Sequence, residues 1–282
     1  MLDVTVIIPV FNEELFLEKS VMSLLSQTYA PKEVVLVDDG STDNSLAIAK
    51  TLSENFPSVS LLTSSQQSTH EPGKKVVQAF YRGFESLRFS WDVICKFDAD
   101  ILLPPNYLEK VVQAFSAQSD LGMFSGILTI EEDGVWKPES VSASNHVRGP
   151  IKAYSKKCFQ SICGIQPALG WDTLDELLAQ YNGFSVKTDQ YLLVKHLRIT
   201  GKGYTSSAAK SKGAVFYQLG YGFFLGIIAS IKWSFTQRGS LLSVILGFLS
   251  AWFSNRSKLV TRSQAAFIRK HRWSEIRRRF IT

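Results

Sequence analysis

Along the first hundred residues, short apolar runs alternate with stretches whose apolar positions recur at helical spacing. The runs are 4–10, 34–37, 59–62 and 93–97, rich in β-branched residues with few polar interruptions. That is the pattern of strands buried on both faces. Between them, Leu15, Val21, Leu24 and Leu25, and later Val76, Val77, Phe80, Phe84 and Leu87, predict helices. Ser41 stands where an N-cap is expected for a helix in the segment TDNSLAIAKTL. Regular strand–helix alternation implies right-handed βαβ units and an α/β fold on a mostly parallel sheet. Ligands of such sheets bind at the carboxyl ends of the strands. This expectation places the segment from Pro9 to Glu13, the pair Asp38 and Asp39, and the pair Asp98 and Asp100 along one edge.

Further along, 122–130 reads as strand, VRGPIKAYSKKCF as strand and turn before a short helix, and 173–181 as helix. Residues 183–186 and 190–196 read as extended. From Gly213 the pattern changes. Segments 213–231 and 239–255 carry no charge, and both are near the lower length limit of a membrane span. Lys210 and Lys212 precede them, Lys232 and Arg238 lie between, and Arg256 and Lys258 follow. Two spans in series would carry one of these groups to the far side, against the positive-inside tendency. The reading is therefore a re-entrant hairpin or helices lying in the membrane interface. Two buried helices packing on the first domain are the alternative. The expected division is 1–209 and 210–282, the latter associating with a membrane.

Charge sharpens that division. The net charge is +6, yet from Arg256 onward nine Lys/Arg face one acid, Glu275, while residues 1–255 hold 22 bases and 24 acids. The tail also carries Phe267, Ile268, Trp273, Ile276 and Phe280 among its cations. It reads as basic and amphipathic, suited to anionic headgroups. Nucleic acid is not an expected partner, because no recognised binding motif accompanies the charge. Three scattered cysteines, Cys95, Cys158 and Cys163, point to a reducing compartment. The apolar start, with Asp3 and Glu13 nearby, reads as a first strand and not as a signal peptide.

Two acidic constellations carry candidate chemistry. Asp98 and Asp100 flank Ala99, and residues two apart on an extended segment point to one side. Two close carboxylates repel unless a cation lies between them, and hard oxygen ligands suit Mg²⁺ or Mn²⁺. Solvated acids in a loop after a strand are the ordinary alternative. Asp38 and Asp39 open the turn DDGS; a turn or a helix cap explains one of them, and the second requires a ligand or solvent.

These residues sit in an ordered series: VTVIIPVFNEE, VVLVDDGSTDNS, the PGKK segment, CKFDADILLPPNYLEK and GWDTLDELLAQ. The series resembles the motifs of family 2 glycosyltransferases over roughly residues 4–198. The resemblance implies a GT-A fold that binds a nucleoside-diphosphate sugar, a UDP- or GDP-sugar. It places Pro9, Asn12, Glu13, Asp38 or Asp39, Gly73, Lys74, Asp98 and Trp171 at the nucleotide sugar. It makes Asp98 and Asp100 the metal-binding D-x-D for Mn²⁺ or Mg²⁺, completed by His196. Family members use a downstream acid as general base. Many have Glu-Asp where this chain has Trp171 and Asp172, so the match departs there; Asp172 is the first choice for the base and Asp175 the second. Helix capping is the structural alternative for Asp172, and a core plug for Trp171. Arg148 and Arg198 are placed either at phosphates or an anionic acceptor, or in surface ion pairs.

The activity implied is metal-dependent, inverting sugar transfer to the hydroxyl of a glycan or lipid-linked acceptor, at the cytoplasmic face of the cell membrane. A polyprenyl-phosphate glycosyltransferase is the nearest alternative. A metal-dependent nucleotidyltransferase would release pyrophosphate instead, and a non-catalytic membrane scaffold would turn over no sugar nucleotide.

Overall fold

Strand β1 (Val4–Val10) lies between β2 (Glu33–Asp38) and β4 (Val93–Phe97), parallel to both, and β3 (Val59–Thr63) pairs with β2 in parallel. Each sits within one residue of the run that predicts it. In the computed structural model, which describes residues 1–64, 73–139, 146–198, 206–237 and 239–281, the chain divides into two units, Met1–Ile199 and Thr200–Thr282. The division falls ahead of the expected 209/210 boundary. Pro72 of PGKK, Arg238 and the side chain of Phe280 lie outside the described residues.

The first unit is one sheet ordered β3-β2-β1-β4-β8-β6-β9-β5, with β5 (Ile101–Leu102), β6 (Leu121–Glu132), β8 (Ile151–Ser155) and β9 (Ser185–His196). A hairpin strand, β7 (Val135–Pro138), pairs with β6 off this path. The expected mostly parallel sheet holds for β1 to β4, and β6 and β9 also pair in parallel, running in the same direction as those four. β8 runs antiparallel to β4, β6 antiparallel to β8, and β5 antiparallel to β9, so the sheet is mixed. Apolar runs reveal that a strand is buried but not the direction in which it enters the sheet.

Helices α1 (Leu17–Leu25), α2 (Ser45–Asn55) and α4 (Tyr107–Ala117) supply one core. There Val4, Val6, Ile8 and Val10 meet Leu17, Val21, Leu24 and Tyr107. The alternate residues of β1 and β2 face α3 (Lys74–Glu85), where a Cβ on Gly83 would come within 2.7 Å of Ile7 and 2.9 Å of Val37. Helices α5 (Lys156–Ser161) and α6 (Trp171–Tyr181) follow β8 and precede β9. The two extended segments expected at 183–196 are one strand, β9.

In the second unit, α7 (Ser206–Gln218), α8 (Phe223–Gln237), α9 (Leu241–Phe253) and α10 (Arg262–Ile281) follow one another. The apolar segment 213–231 is not one helix: Gly220, at φ 78°, turns the chain between α7 and α8. Helices of 15 and 13 residues, α8 and α9, are about 22 and 20 Å long at 1.5 Å per residue. No described helix is long and apolar enough to cross a membrane. Helices α7 and α9 cross with their backbones in contact, since a Cβ on Gly213 or Gly247 would fall 1.9 Å from the carbonyl oxygen of Val244 or Lys210. The tail helix α10 is not amphipathic. At about 100° per residue, Phe267 and Trp273 lie some 120° apart, and cations fall on every side between them.

Candidate functional site

The loops leaving β1 and β2 are laced together by side chains. Asn12 sits at φ 55°, a left-handed conformation that asparagine tolerates better than most residues. Its N–H donates to Ser41 Oγ (3.1 Å), and its Oδ1 accepts from the Thr42 N–H (2.8 Å). The Glu13 N–H donates to Ser45 Oγ (2.7 Å), and Glu14 Oε2 accepts from the Asn44 N–H (3.0 Å). Ser41 is therefore not the cap expected of it; α2 begins at Ser45, after Asn44, and Ser41 serves the neighbouring loop.

The two aspartates of the turn divide their roles. Asp38 is buried, and its carboxylate accepts from the N–H groups of Gly40 (3.2 Å) and Ser41 (3.3 Å), so it shapes the turn. Asp39 forms an ion pair with Arg82 of α3, which holds its carboxylate beside the exit of β1. Pro9 is half-buried opposite Val37.

At the next strand end, Asp98 pairs with Lys96, and Asp100 lies between His196, the last residue of β9, and Arg198 just beyond it. His196 Nε2 is 3.5 Å and Arg198 Nε 3.7 Å from the Asp100 carboxylate, and Arg198 also binds Glu13 at 2.6 Å. The pairing of Ile101 with His196 brings these residues together from distant sequence. Burial and the charge of Asp100 push Glu13 up to about 7, with Arg198 opposing the shift. Burial lowers the proton affinity of His196, but its hydrogen bond to Asp100 outweighs that and leaves it raised.

Among the described residues, no three His, Cys, Asp or Glu side chains converge on a single point as placed. The donor set nevertheless fits a hard divalent ion: two carboxylates and an imidazole, with the Glu13 carboxyl beside them. A cavity of about 390 Å³ adjoins His196, lined by Phe16, Lys19, Leu102, Glu131, Trp136 and Leu197.

The start of α6 forms the other side of the site. Lys96 of β4 and Lys152 of β8 are direct register partners, so their side chains share a face. Like charges so placed repel, and here each has its own carboxylate: Lys96 has Asp98, and Lys152 has Asp175 at 2.5 Å. Both ammonium groups lie over the Trp171 ring, at 5.4 and 5.5 Å from its centroid. Lys152 also donates to the Asp172 carbonyl oxygen at 2.5 Å, and the Tyr154 hydroxyl donates to Asp175.

Two expectations are corrected by this packing. Trp171 is buried beneath the two lysines and against Gly149, so it is no platform for a sugar. Asp175 is buried with both oxygens engaged, so it anchors α6 and does not face the cleft as a base. Gly73, at φ 78°, lies close to protein backbone, since a Cβ there would meet Leu169 Cα at 3.0 Å. Arg148 pairs with Glu139 at 2.8 Å, and Lys74 begins α3 half-buried.

Asp172 is the second residue of α6, after a cap position held by Gly170, so it is not the cap. Its side chain is 35% exposed. Behind it, His146 Nδ1 bonds Glu176 at 2.5 Å, and Nε2 lies 3.8 Å from Asp172 Oδ2. Burial lowers the proton affinity of His146, but the two carboxylates outweigh burial and leave it raised. A proton held more tightly in the folded state contributes stability below the unfolded pKa of about 6.5, and this is lost as pH rises through the folded value. NMR titration is therefore expected to place the His146 midpoint above that of free histidine. Glu176→Gln is expected to lower it; a midpoint unmoved by that change would remove Glu176 from the arrangement.

His146, Lys96, Lys152, Tyr154 and Glu176 are not singled out in the sequence reading. A signal existed for two of them: a lysine inside each buried run, VICKF and IKAYS, must find a partner within the fold.

A family model described as glycosyl transferase family 2 matches residues 5–165. An uncharacterised glycosyltransferase of Nostoc sp. is 32% identical over 43% of this chain and 35% of its own length. An undecaprenyl-phosphate 4-deoxy-4-formamido-L-arabinose transferase of Pseudomonas fluorescens is 34% identical over 42% of this chain and 33% of its own length. The matches thus span about a third of the length of these relatives. Among solved structures, a mannosyltransferase from Pyrobaculum calidifontis, in complex with GDP-Man and Mn²⁺, aligns with a TM-score of 0.58. Its identity is 15%, over 98% of this chain and 83% of that one, a likeness of fold alone.

Proposed function

The chain belongs to glycosyl transferase family 2, and we propose that it moves a sugar from a nucleoside-diphosphate sugar to a hydroxyl of a glycan or lipid-linked acceptor. One observation carries this reading. The carboxylates of Glu13, Asp98 and Asp100 gather at the strand ends, and Asp98 is tied through Lys96 and Trp171 to a helix start that presents the half-exposed carboxylate of Asp172.

In this reading Asp39, steadied by Arg82, accepts from the donor groups of the base or ribose, while Asp38 keeps the turn in shape. Pro9, Asn12 and Glu13 form the wall beside it, and Lys74 at the start of α3 offsets phosphate charge. Asp98, Asp100 and His196 would hold Mn²⁺ or Mg²⁺. Such an ion supplies Lewis-acid stabilisation to the departing nucleoside diphosphate. Asp172 accepts the acceptor's hydroxyl proton as the new bond forms, in a single displacement that inverts the anomeric centre. His146, set between Asp172 and Glu176, steadies the Asp172 carboxylate from behind. We place the reaction at the cytoplasmic face of a membrane.

A second reading has its own support in the Pseudomonas relative, whose name specifies undecaprenyl phosphate. A phosphate acceptor is already ionised and needs no base.

The test is a thermal-shift panel of UDP, GDP and their sugars, with and without Mn²⁺. At a hundredfold excess over Kd, one nucleotide is expected to add about 2.7 kcal/mol of stability. The ion is expected to enhance that effect. Stabilisation by none of them would overturn the proposal.

A further inference from the structure

Helices α8 and α9 are apolar on two faces. Their inner faces are buried within the second unit through Leu225, Val244, Phe248 and Ala251, and a Cβ on Gly226 would strike the Phe248 ring at 2.2 Å. Their outer faces are apolar as well. On α8, Phe224, Ile228, Ile231 and Phe235 recur at intervals of four, three and four, a single stripe on a helix. On α9, Leu242, Leu246 and Phe253 form a matching stripe. Phe224 is 76% exposed, Phe235 79%, Leu242 68% and Phe253 81%. A helix bathed in water carries polar residues on its outer face; here only Lys232 and Thr236 on α8 and Ser250 on α9 are polar among the described exposed residues of the two helices. Contiguous apolar surface of this kind marks a binding face.

Charge identifies the occupant. No acidic residue occurs between Asp189 and Glu275, and residues 200–282 hold fourteen Lys/Arg against that one glutamate. Lys232, beside the α8 stripe, and Arg256 and Lys258, just past α9, are exposed. A second copy of the chain would bring two strongly cationic surfaces together, and like-charge juxtaposition opposes that. An anionic surface with an apolar interior matches both properties. Neither helix is long enough to cross that interior.

We propose that the outer stripes of α8 and α9 form an in-plane wedge that beds into the headgroup–acyl boundary of a bilayer rich in anionic lipid. Phe224, Phe235, Leu242, Leu246 and Phe253 enter the apolar layer, while Lys232, Arg256 and Lys258 engage lipid phosphates. This goes beyond the sugar-transfer reading and stands or falls separately, because its test measures binding alone.

The test floats the full chain with vesicles of phosphatidylcholine, or of a mixture in which about a third of the lipid is phosphatidylglycerol. Binding to the mixed vesicles is expected to be at least about tenfold tighter and to weaken in high salt. The triple change Phe224→Glu, Leu242→Glu, Phe253→Glu replaces solvent-facing groups, so it should leave the circular dichroism spectrum and melting temperature unchanged. It is expected to lower binding at least about tenfold on either vesicle. The triple change Lys232→Gln, Arg256→Gln, Lys258→Gln should abolish the preference for anionic lipid and retain weaker partitioning. The proposal is overturned by absence of flotation, by equal binding to both vesicles, or by binding that the glutamates leave intact. A lipid-independent dimer that the glutamates dissociate, in a protein that does not float, would instead assign the face to a second copy.

Discussion

Asp172→Asn is expected to reduce turnover by about 10²–10⁴-fold, the usual contribution of a positioned general base. The donor KM should change little, because Asp172 lies at the start of α6 and the donor's base and diphosphate are assigned to Asp39 and the D-x-D edge. Asparagine is nearly isosteric and keeps the carbonyl of residue 172 available to Lys152. What it removes is the capacity to take a proton. It also removes one of the two carboxylates that hold the His146 proton, so the His146 midpoint should fall in the same variant. Steady-state kinetics with both substrates varied provide the check. A loss below about tenfold, with turnover on a polyprenyl phosphate retained, would favour the phosphate-acceptor reading, since an ionised acceptor gains little from a base.

Lys152→Met is expected to be the most destabilising single change in the site. It leaves Asp175 buried with an uncompensated charge, a situation that costs about 3–5 kcal/mol. For a domain of this size the melting temperature should drop by on the order of 10 °C. Burial already pushes Asp175 up to about 6, against the pull of Lys152 and Tyr154. A carboxyl that binds its proton more tightly when folded favours the native state below its unfolded pKa and loses that contribution as pH rises through the folded value. The variant should therefore lie closer to wild type at pH 4 than at pH 8, and denaturant titrations at the two pH values test this. Adding Asp175→Leu should recover much of the stability, because an apolar pair of similar volume often replaces a buried ion pair without loss. Turnover should stay low in the double variant, since the Lys152 bond to the Asp172 carbonyl is still missing. Recovery of both together would reduce Lys152 to a purely structural role.

Much of this was legible in the chain. The first four strands are predicted to within a residue because a strand buried on both faces admits almost nothing but apolar side chains. The acidic pairs follow from where such strands end. The division at the second unit is visible as a change in charge and hydropathy. The direction of β8 is not visible, because burial pattern is the same for parallel and antiparallel entry. Ser41 misleads as a cap, since its hydroxyl suits an Asn12 N–H two loops away equally well. Trp171 and Asp175 mislead because a residue's type does not reveal whether it faces the cleft or the core.

Sequence by itself determined an α/β sheet with carboxylates at its open edge, the family of that sheet, and an apolar, cationic second unit. All of these depend on local composition and period, which the chain carries residue by residue. Tertiary structure alone decided that Asp38 shapes the turn while Asp39 pairs with Arg82 of α3. It alone decided that Asp175 and not Asp172 is drawn into the core, because β4 and β8 pair in a register that sets Lys96 opposite Lys152. Two buried ammonium groups then require two carboxylates and a ring between them, and Asp175 is taken into the core to meet that need while the Asp172 side chain stays 35% exposed.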